Sequence, residues 1–256
     1  MSKSRSGTES RRNEIVQIVR DPNVSVHDIA KKFNVSVSTI RRDLAILVQE
    51  GEVVRTYGGA LQMGTFERSW HDKETVRTRE KAAIADAAVA LVKPGDIVLL
   101  DAGTTVARVA QLLSQRTDIT IVTNSLSSLL VLADASVPVQ VLPGRLRRPN
   151  EAITGSQTYE ALKGLTPTIA FLGVDGVHPT KGLNCPDSEQ ATLKAAMAES
   201  SLRAWVLADD SKLNGEPRFP YWSKIHPKTG LITNARKSDS AKFKNKFSEI
   251  INVSVK

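Results

Sequence analysis

Four short polar segments hold the residues best suited to chemistry, and each follows or closes an apolar run. DAGTT (Asp101, Gly103, Thr104, Thr105) follows DIVLL, and TNS (Thr123, Asn124, Ser125) closes a run that begins at Ile119. GVDG (Gly173, Asp175, Gly176) follows TIAFL, and ADDSK (Asp209, Asp210, Ser211, Lys212) follows AWVL. Asp101 and Asp175 can accept hydrogen bonds from sugar hydroxyls, and Lys194 and Lys212 can balance a phosphate. Thr104, Thr105 and Ser125 each stand where a helix would start, and the free N–H groups and dipole of a helix start favour an anion. The chemistry these residues suit is recognition of a small, polyhydroxylated, phosphorylated ligand. Any single Asp or Thr in such a place is more often a helix cap than a ligand contact. Four such turns together raise the pocket above that bland reading.

The elements that must position them are legible from patterning. EKAAIADAAVALVK reads as a strong helix stopped by Pro94-Gly95, and the apolar runs DIVLL, DITIVT, VPVQVL, TIAFLGV, AWVLA and GLIT alternate with helical stretches. Continuous apolar strands separated by helices imply a buried, mostly parallel sheet in an α/β domain. In such open sheets ligands sit beyond the carboxyl ends of the strands, so the four turns are expected to converge there. Arg145, Arg147 and Arg148 in PGRLRRPNE suit phosphate binding, an exposed loop or an interface equally, and stand outside the core site. Lys242, Lys244 and Lys246 read as a solvated face. The four histidines show no metal-ligand spacing, so neither a metal nor a cofactor is expected.

A different pattern occupies the first sixty residues. Arg12–Arg20 reads as a short helix stopped by Asp21-Pro22, and Ser25 with Asp28 forms a variant of the capping box ahead of VHDIAKKF. That second helix ends at Phe33, with Asn34 suited to a left-handed turn. A third helix is expected after Ser36, with Ile40, Leu44, Leu47 and Val48 on one face and Ser38, Arg41 and Arg42 on another, Thr39 beside Arg42. Short hydroxyl donors and forked guanidiniums at a helix start are what base edges and phosphates require. Gly51 closes this helix. EVVRTYGGA then alternates like a strand, with Gly58-Gly59 permitting a tight hairpin. The sum is a winged helix-turn-helix, with Arg55, Tyr57 and the Gly58-Gly59 tip placed to touch flanking DNA backbone. A protein-docking module with a basic face is the blander alternative.

Composition agrees with this division. The chain has 256 residues, 41% of them hydrophobic, and a formal charge of +8, a basic balance that suits a nucleic-acid partner. The excess is uneven: residues 1–60 carry 10 basic and 7 acidic groups, residues 61–201 carry 14 and 15, and residues 202–256 carry 11 and 5. The one cysteine, Cys185, cannot close an intrachain disulfide and points to a reducing compartment. The N-terminal stretch has no apolar core of a signal peptide, and no segment is apolar enough to span a bilayer. A cytoplasmic protein without a membrane partner is expected. The boundaries read as a flexible tail over 1–10, the winged helix over 11–62, a linker over 63–77 packed in part through Phe66 and Trp70, and the larger domain over 78–256.

Residues 36–60, SVSTIRRDLAILVQEGEVVRTYGGA, resemble the signature of the DeoR family of bacterial transcriptional regulators. The resemblance runs from about Arg11 to Asn252, through DAGTT, TNS, FLGVDG, the Lys194–Met197 spacing, LADDSK and LITN. It implies a Rossmann-like sensor domain similar to ribose-5-phosphate isomerase, whose effectors are phosphorylated sugars or related metabolites. Carried over by motif, the effector contacts are Asp101, Gly103, Thr104, Thr105, Asn124, Ser125, Asp175, Gly176, Lys194 and Lys212. The DNA contacts are Ser36, Ser38, Thr39, Arg41, Arg42, Arg55, Tyr57, Gly58 and Gly59. Three positions depart from the family's pattern: Pro143 ahead of Gly144, Gln190 where Glu is common, and Asn234 where Asp is common.

The expected function is therefore a sequence-specific regulator, a repressor of carbohydrate genes. Double-stranded operator DNA and a phosphorylated effector are its partners, and it works as a homo-oligomer, dimer or tetramer. An isomerase or hydrolase of sugar phosphates is a second reading. It needs a carboxylate base, and related isomerases carry acids near the positions of His178 and Gln190. Gln190 takes no proton, and Asp187 and Glu189 serve only in another helix register. A third reading is a DNA-binding scaffold with a silent pocket.

Overall fold

A computed structural model describes residues 3–19, 24–49, 53–55, 61–62, 67–213 and 219–255, in two units, Met1–Arg68 and Ser69–Lys256. In the small unit, α1 (Lys3–Ile18), α2 (Val26–Lys32) and α3 (Val37–Gln49) precede a two-stranded antiparallel ribbon of β1 (Val54–Arg55) and β2 (Leu61–Gln62). Residues 3–10, expected as a tail, continue α1, since no proline separates them from Arg11. Ser25 and Asp28 close a full capping box: the Asp28 N–H donates to Ser25 Oγ at 3.2 Å and the Ser25 N–H donates to Asp28 Oδ2 at 2.9 Å. Asn34 takes the left-handed turn at φ 50°. Ile15, Val19, Ile29, Ile40, Leu44, Leu47 and Val53 form the core of this unit. Gly51, Tyr57, Gly58 and Gly59 lie outside the described residues.

The large unit opens with α4 (Trp70–Glu74) and α5 (Thr78–Val89). Its centre is a seven-stranded, wholly parallel sheet of β3 (Ile97–Leu100), β4 (Thr120–Thr123), β5 (Val139–Val141), β8 (Ile169–Gly173), β11 (Arg203–Leu207), β13 (Thr229–Thr233) and β14 (Ile250–Asn252). Between its strands run α6 (Thr104–Leu113), α7 (Leu126–Leu132), α8 (Ser156–Lys163) and α9 (Ser188–Ser200). The six apolar runs all became strands of this sheet. β14, the antiparallel hairpin β6 (Arg145–Arg147) and β7 (Ala152–Thr154), and the antiparallel group β9 (Gly176–His178), β10 (Gly182–Cys185) and β12 (Tyr221–Ser223) are additions. These pieces are three or four residues long and lack a continuous apolar run of strand length, so patterning gave them no signal.

Each face of the sheet has its own apolar layer. Ile84, Ala88, Val109 and Leu113 of α5 and α6 pack on one face against Val98, Ile121 and Phe171. Leu193 and Met197 of α9, with Leu162 of α8, pack on the other against Leu99, Ala170 and Val206. The strand order is β14-β13-β11-β8-β3-β4-β5, so the chain winds one way from β3 and the other way from β8. The crevice between the ends of β3 and β8 is the topological switch point where open α/β sheets bind ligands. DAGTT and GVDG are the segments that leave those two strands.

Candidate functional site

In the small unit the residues expected to face DNA begin at Ser36. Its Oγ accepts the Thr39 N–H at 3.1 Å and lies 2.7 Å from Ser38 Oγ and 2.8 Å from Thr39 Oγ1, so the three hydroxyls form one capping cluster at the start of α3. Arg41 and Arg42 follow, both exposed. The next residue, Asp43, is buried, and accepts from Arg11 Nε at 2.8 Å and Arg12 Nε at 3.0 Å. It ties α3 to α1 and leaves Arg41 and Arg42 without an acidic partner among the described residues. An acid directly after an Arg pair was the available signal for this tie. Arg55 lies in β1.

In the large unit, Asp101 and Asp175 are placed by the switch point and each is engaged by a lysine. Lys194 of α9 is buried and donates to Asp101 Oδ2 and, at 2.7 Å, to the Gly173 carbonyl. Burial pushes the Lys194 ammonium down, but the Asp101 carboxylate outweighs it and holds the lysine above its ordinary range. Asp175 pairs with Lys73 of α4 at 2.7 Å. Burial pushes this carboxyl up, yet Lys73, Lys212 and Lys194 together hold it at about 2. The close approach behind the site depends on glycine: Gly103 has φ 142°, and a Cβ on Gly173 would run into the Ala102 carbonyl.

Further cations are linked to this cluster through Lys73 and Lys212. Lys81 of α5 is buried and donates to the Lys73 carbonyl. Burial lowers its pKa to about 8; Asp209 opposes this, and Lys212, Arg108 and Lys73 reinforce it. Thr104 and Thr105, both buried, open α6, with Arg108 one turn further on. Asp209 caps the short 3₁₀ turn Asp210–Lys212 and stays below its usual range: burial raises it, but Lys212, the Ser211 hydroxyl, Arg77 and Lys81 prevail. Asn234 donates to Asp210 Oδ1 at 3.0 Å and accepts the Asp210 N–H at 2.9 Å, so this departure from the expected acid braces the turn.

The arrangement thus joins Asp101, Asp175, Lys194 and Lys212 electrostatically, with Gly103, Thr104 and Thr105 at the same sheet end. Gly176 enters β9. Ser125 is a helix cap, its Oγ accepting the Ser128 N–H at 3.2 Å, and Asn124 Nδ2 donates to the Ile153 carbonyl at 3.1 Å. Sequence reasoning missed Lys73, Arg77, Lys81 and Arg108. Lys81 had a signal: it stands in line with Ile84, Ala85 and Ala88 on the buried stripe of α5. Lys73 had none, because it sits in a segment read as linker.

The carboxylates near Gln190 are also engaged. Asp187 caps α9 through the Gln190 N–H at 2.8 Å and pairs with Arg147, while Glu189 meets Arg145 at 3.3 Å and Thr154 Oγ1 at 3.1 Å. Asn150 Nδ2 donates to Gln190 Oε1 at 3.0 Å. Arg145 and Arg147 therefore bind α9's first turn. Among the described residues no group of histidine, cysteine and carboxylates could hold a metal ion, and no helix is long and apolar enough to cross a membrane.

Comparison with known proteins places both units. The DeoR-like helix-turn-helix domain matches residues 11–65, and the DeoR C terminal sensor domain matches residues 76–235. The chain is 36% identical over 215 residues to an Escherichia coli O157:H7 protein to which repression of the aga operon is provisionally ascribed, covering 82% of this chain and 80% of that one. It is 30% identical over 207 residues to the glycerol-3-phosphate regulon repressor of Shigella flexneri, covering 79% and 81%. Among solved structures, ribose 5-phosphate isomerase A from Methanocaldococcus jannaschii aligns with 52% of each chain at 22% identity and a TM-score of 0.38. With a DeoR-like helix-turn-helix domain in one unit and a DeoR sensor domain in the other, this chain is a transcriptional regulator and belongs to the DeoR family.

Proposed function

We propose that the protein is a repressor of carbohydrate genes whose operator binding is modulated by a phosphorylated sugar or polyol. The carrying observation is the charge cluster beyond the carboxyl ends of β3 and β8: Asp101 with Lys194, Asp175 with Lys73, Lys212 and Lys194, and Lys81 joined to them through Lys73 and Lys212. The carboxylates suit hydroxyl groups. The cations crowd Lys81: burial is the first cause of its lowered pKa, and Lys212, Arg108 and Lys73 add to it, so a phosphate among them would relieve that repulsion. The regulators named for aga and glycerol-3-phosphate regulons support the same chemical class.

On the DNA side, Arg41 and Arg42 contact guanines or phosphates, Ser38 and Thr39 the adjacent backbone or bases, and the ribbon of β1 and β2 the flanking strand. A homo-oligomer in the cytoplasm presents two such helices to a repeated operator. The effector acts by binding more tightly to the arrangement in which both helices no longer fit their half-sites; equal affinity for both would change nothing.

The test is fluorescence anisotropy at fixed salt on labelled DNA from upstream of the protein's own gene, with sugar phosphates and their unphosphorylated counterparts. Tight binding that survives competitor DNA and shifts with one phosphorylated compound is the expected result. Tight binding that no member of the panel changes would favour the silent-pocket reading, whose motive is Pro143, Gln190 and Asn234.

A further inference from the structure

Helix α4 is a short element with little apolar anchorage. None of its five residues is fully buried, and beside its polar contacts the half-buried Trp70 shares a mostly apolar cavity with Leu130 and Val131. Ser69 and Asp72 close its capping box, the Trp70 N–H donates to the Pro149 carbonyl at 3.2 Å, and Lys81 donates to the Lys73 carbonyl. The remaining tie is the ion pair of Lys73 with Asp175 at 2.7 Å, both side chains mostly buried. This pair is the direct link between α4 and the ligand-facing carboxylates. In the chain, α4 is also the first element after Arg68, where the DNA-reading unit ends.

We propose that α4 is the latch through which the effector site acts on the DNA-reading unit: Lys73 and Asp175 satisfy each other until an effector separates them and frees α4. The proposal rests on the reading of Asp175 as an effector contact. A sugar hydroxyl donating to Asp175 competes with the Lys73 ammonium for the same carboxylate. A phosphate beside Lys81 and Lys212 draws Lys73 away from it. In either case α4 loses its ion pair with the ligand-facing carboxylates, and what remains is a short helix held by its cap, its backbone bonds, the Lys81 bond to the Lys73 carbonyl and the half-buried Trp70. Its release is passed along the chain to the segment that precedes it. Lys73 is thus a positioning residue for regulation, outside the motifs that carry the family resemblance.

The test uses the full chain and the duplex that the wild type selects from a random pool. Lys73→Met removes the pair while keeping the stem of the side chain. Ser69→Ala weakens α4 from its far end without touching the effector site. The expected result in both, with no effector present, is faster amide exchange over residues 70–75 and unchanged exchange in β3 and β8. Affinity for the duplex then falls by about 5- to 150-fold, the range of an ordinary allosteric coupling, with Lys73→Met the larger, and Lys73→Arg restores both readouts. Unchanged exchange in α4, or faster exchange with wild-type affinity, overturns the latch. The underlying reading fails separately: if neither glucose 6-phosphate, fructose 1-phosphate, ribose 5-phosphate nor glycerol 3-phosphate raises the wild type's thermal midpoint, Asp175 loses its effector role and the latch falls with it.

Discussion

Charge is handled in opposite ways in the two units. In the small one a buried acid, Asp43, holds two half-buried arginines of α1, and Arg41 and Arg42 of α3 stand exposed beside it. In the large one the cations are drawn inward: Lys81 and Lys194 are buried, and the carboxylates Asp101, Asp175 and Asp209 are set among them. The outward arrangement meets a large polyanion that arrives with its own counterions, so exposed charge is useful and little internal energy is at stake. The inward arrangement suits a small anion, which must be desolvated to be recognised, and its charges stand in a low-dielectric setting where each is costly unless paired. Mutation should therefore disturb stability strongly in the large unit and DNA affinity selectively in the small one.

The largest effect expected is at Asp101. Replacing it with Ala leaves the Lys194 ammonium buried with only the Gly173 carbonyl as acceptor, and removing one partner of a buried pair costs about 3–5 kcal/mol. Urea unfolding of the full chain would show this as an earlier transition of the large unit. A loss under about 1 kcal/mol would mean that the pair is hydrated and the contrast overstated.

Lys81 gives an effect of opposite sign. Its folded pKa of about 8 lies below the ordinary lysine value of 10.5, so on raising the pH the native state sheds this proton before the unfolded chain does. Stability should rise between pH 8 and pH 10.5, by about 3 kcal/mol at most, and Lys81→Met should remove that rise. Affinity for a phosphorylated ligand should move the other way, weakening as the pH passes about 8 and the ammonium is lost. Calorimetric titration at pH 7 and pH 9 would check this, and equal affinity at the two would take Lys81 out of the anion site.

What the sequence displayed follows from the same contrast. Helix α3 was legible because its signals are local: a Ser36 cap, an apolar stripe through Ile40 and Leu44, and exposed arginines between. The parallel strands were legible because burial on both sheet faces leaves long apolar runs. The turns after β3 and β8 were legible as polar interruptions, and their meeting follows from the switch in strand order. Lys73 and Lys81 were not visible in this way, because they reach the site from α4 and α5, elements that precede the first strand of the parallel sheet. Only three-dimensional packing brings Lys73 to Asp175, 102 positions away. Asp43 hid for the converse reason, as one acid in a charged helix whose partners lie on α1.

Asp175 sharpens the comparison from the acid side. Its carboxyl is held at about 2 against an ordinary 3.8. A depressed carboxylate contributes its stability in full above the unfolded value and loses it as the pH falls from about 4 to about 2, an amount near 2 kcal/mol. Asp175→Asn should lose that part of the acid dependence, read as the difference between wild-type and variant stability at pH 5 and pH 2.5. Parallel curves for the two proteins would show that the surrounding lysines do not act on Asp175 in solution.

The smallest effect on folding is expected where function in the small unit is concentrated. Arg41 and Arg42 are exposed and pair with no acid among the described residues, so Arg41→Ala or Arg42→Ala should change stability by less than about 0.5 kcal/mol. Operator affinity should fall by about 1–3 kcal/mol for whichever arginine reads a guanine edge, with relaxed specificity at that base pair. A phosphate contact would instead weaken all sequences alike and lower the salt slope by about one unit. Anisotropy across a salt series on the selected duplex and on a scrambled one separates these cases. If both variants bind the selected duplex as the wild type does, α3 is not the reader. The exposed charge of the small unit would then have to be assigned elsewhere, with Ser38, Thr39 and Arg55 the next to be replaced.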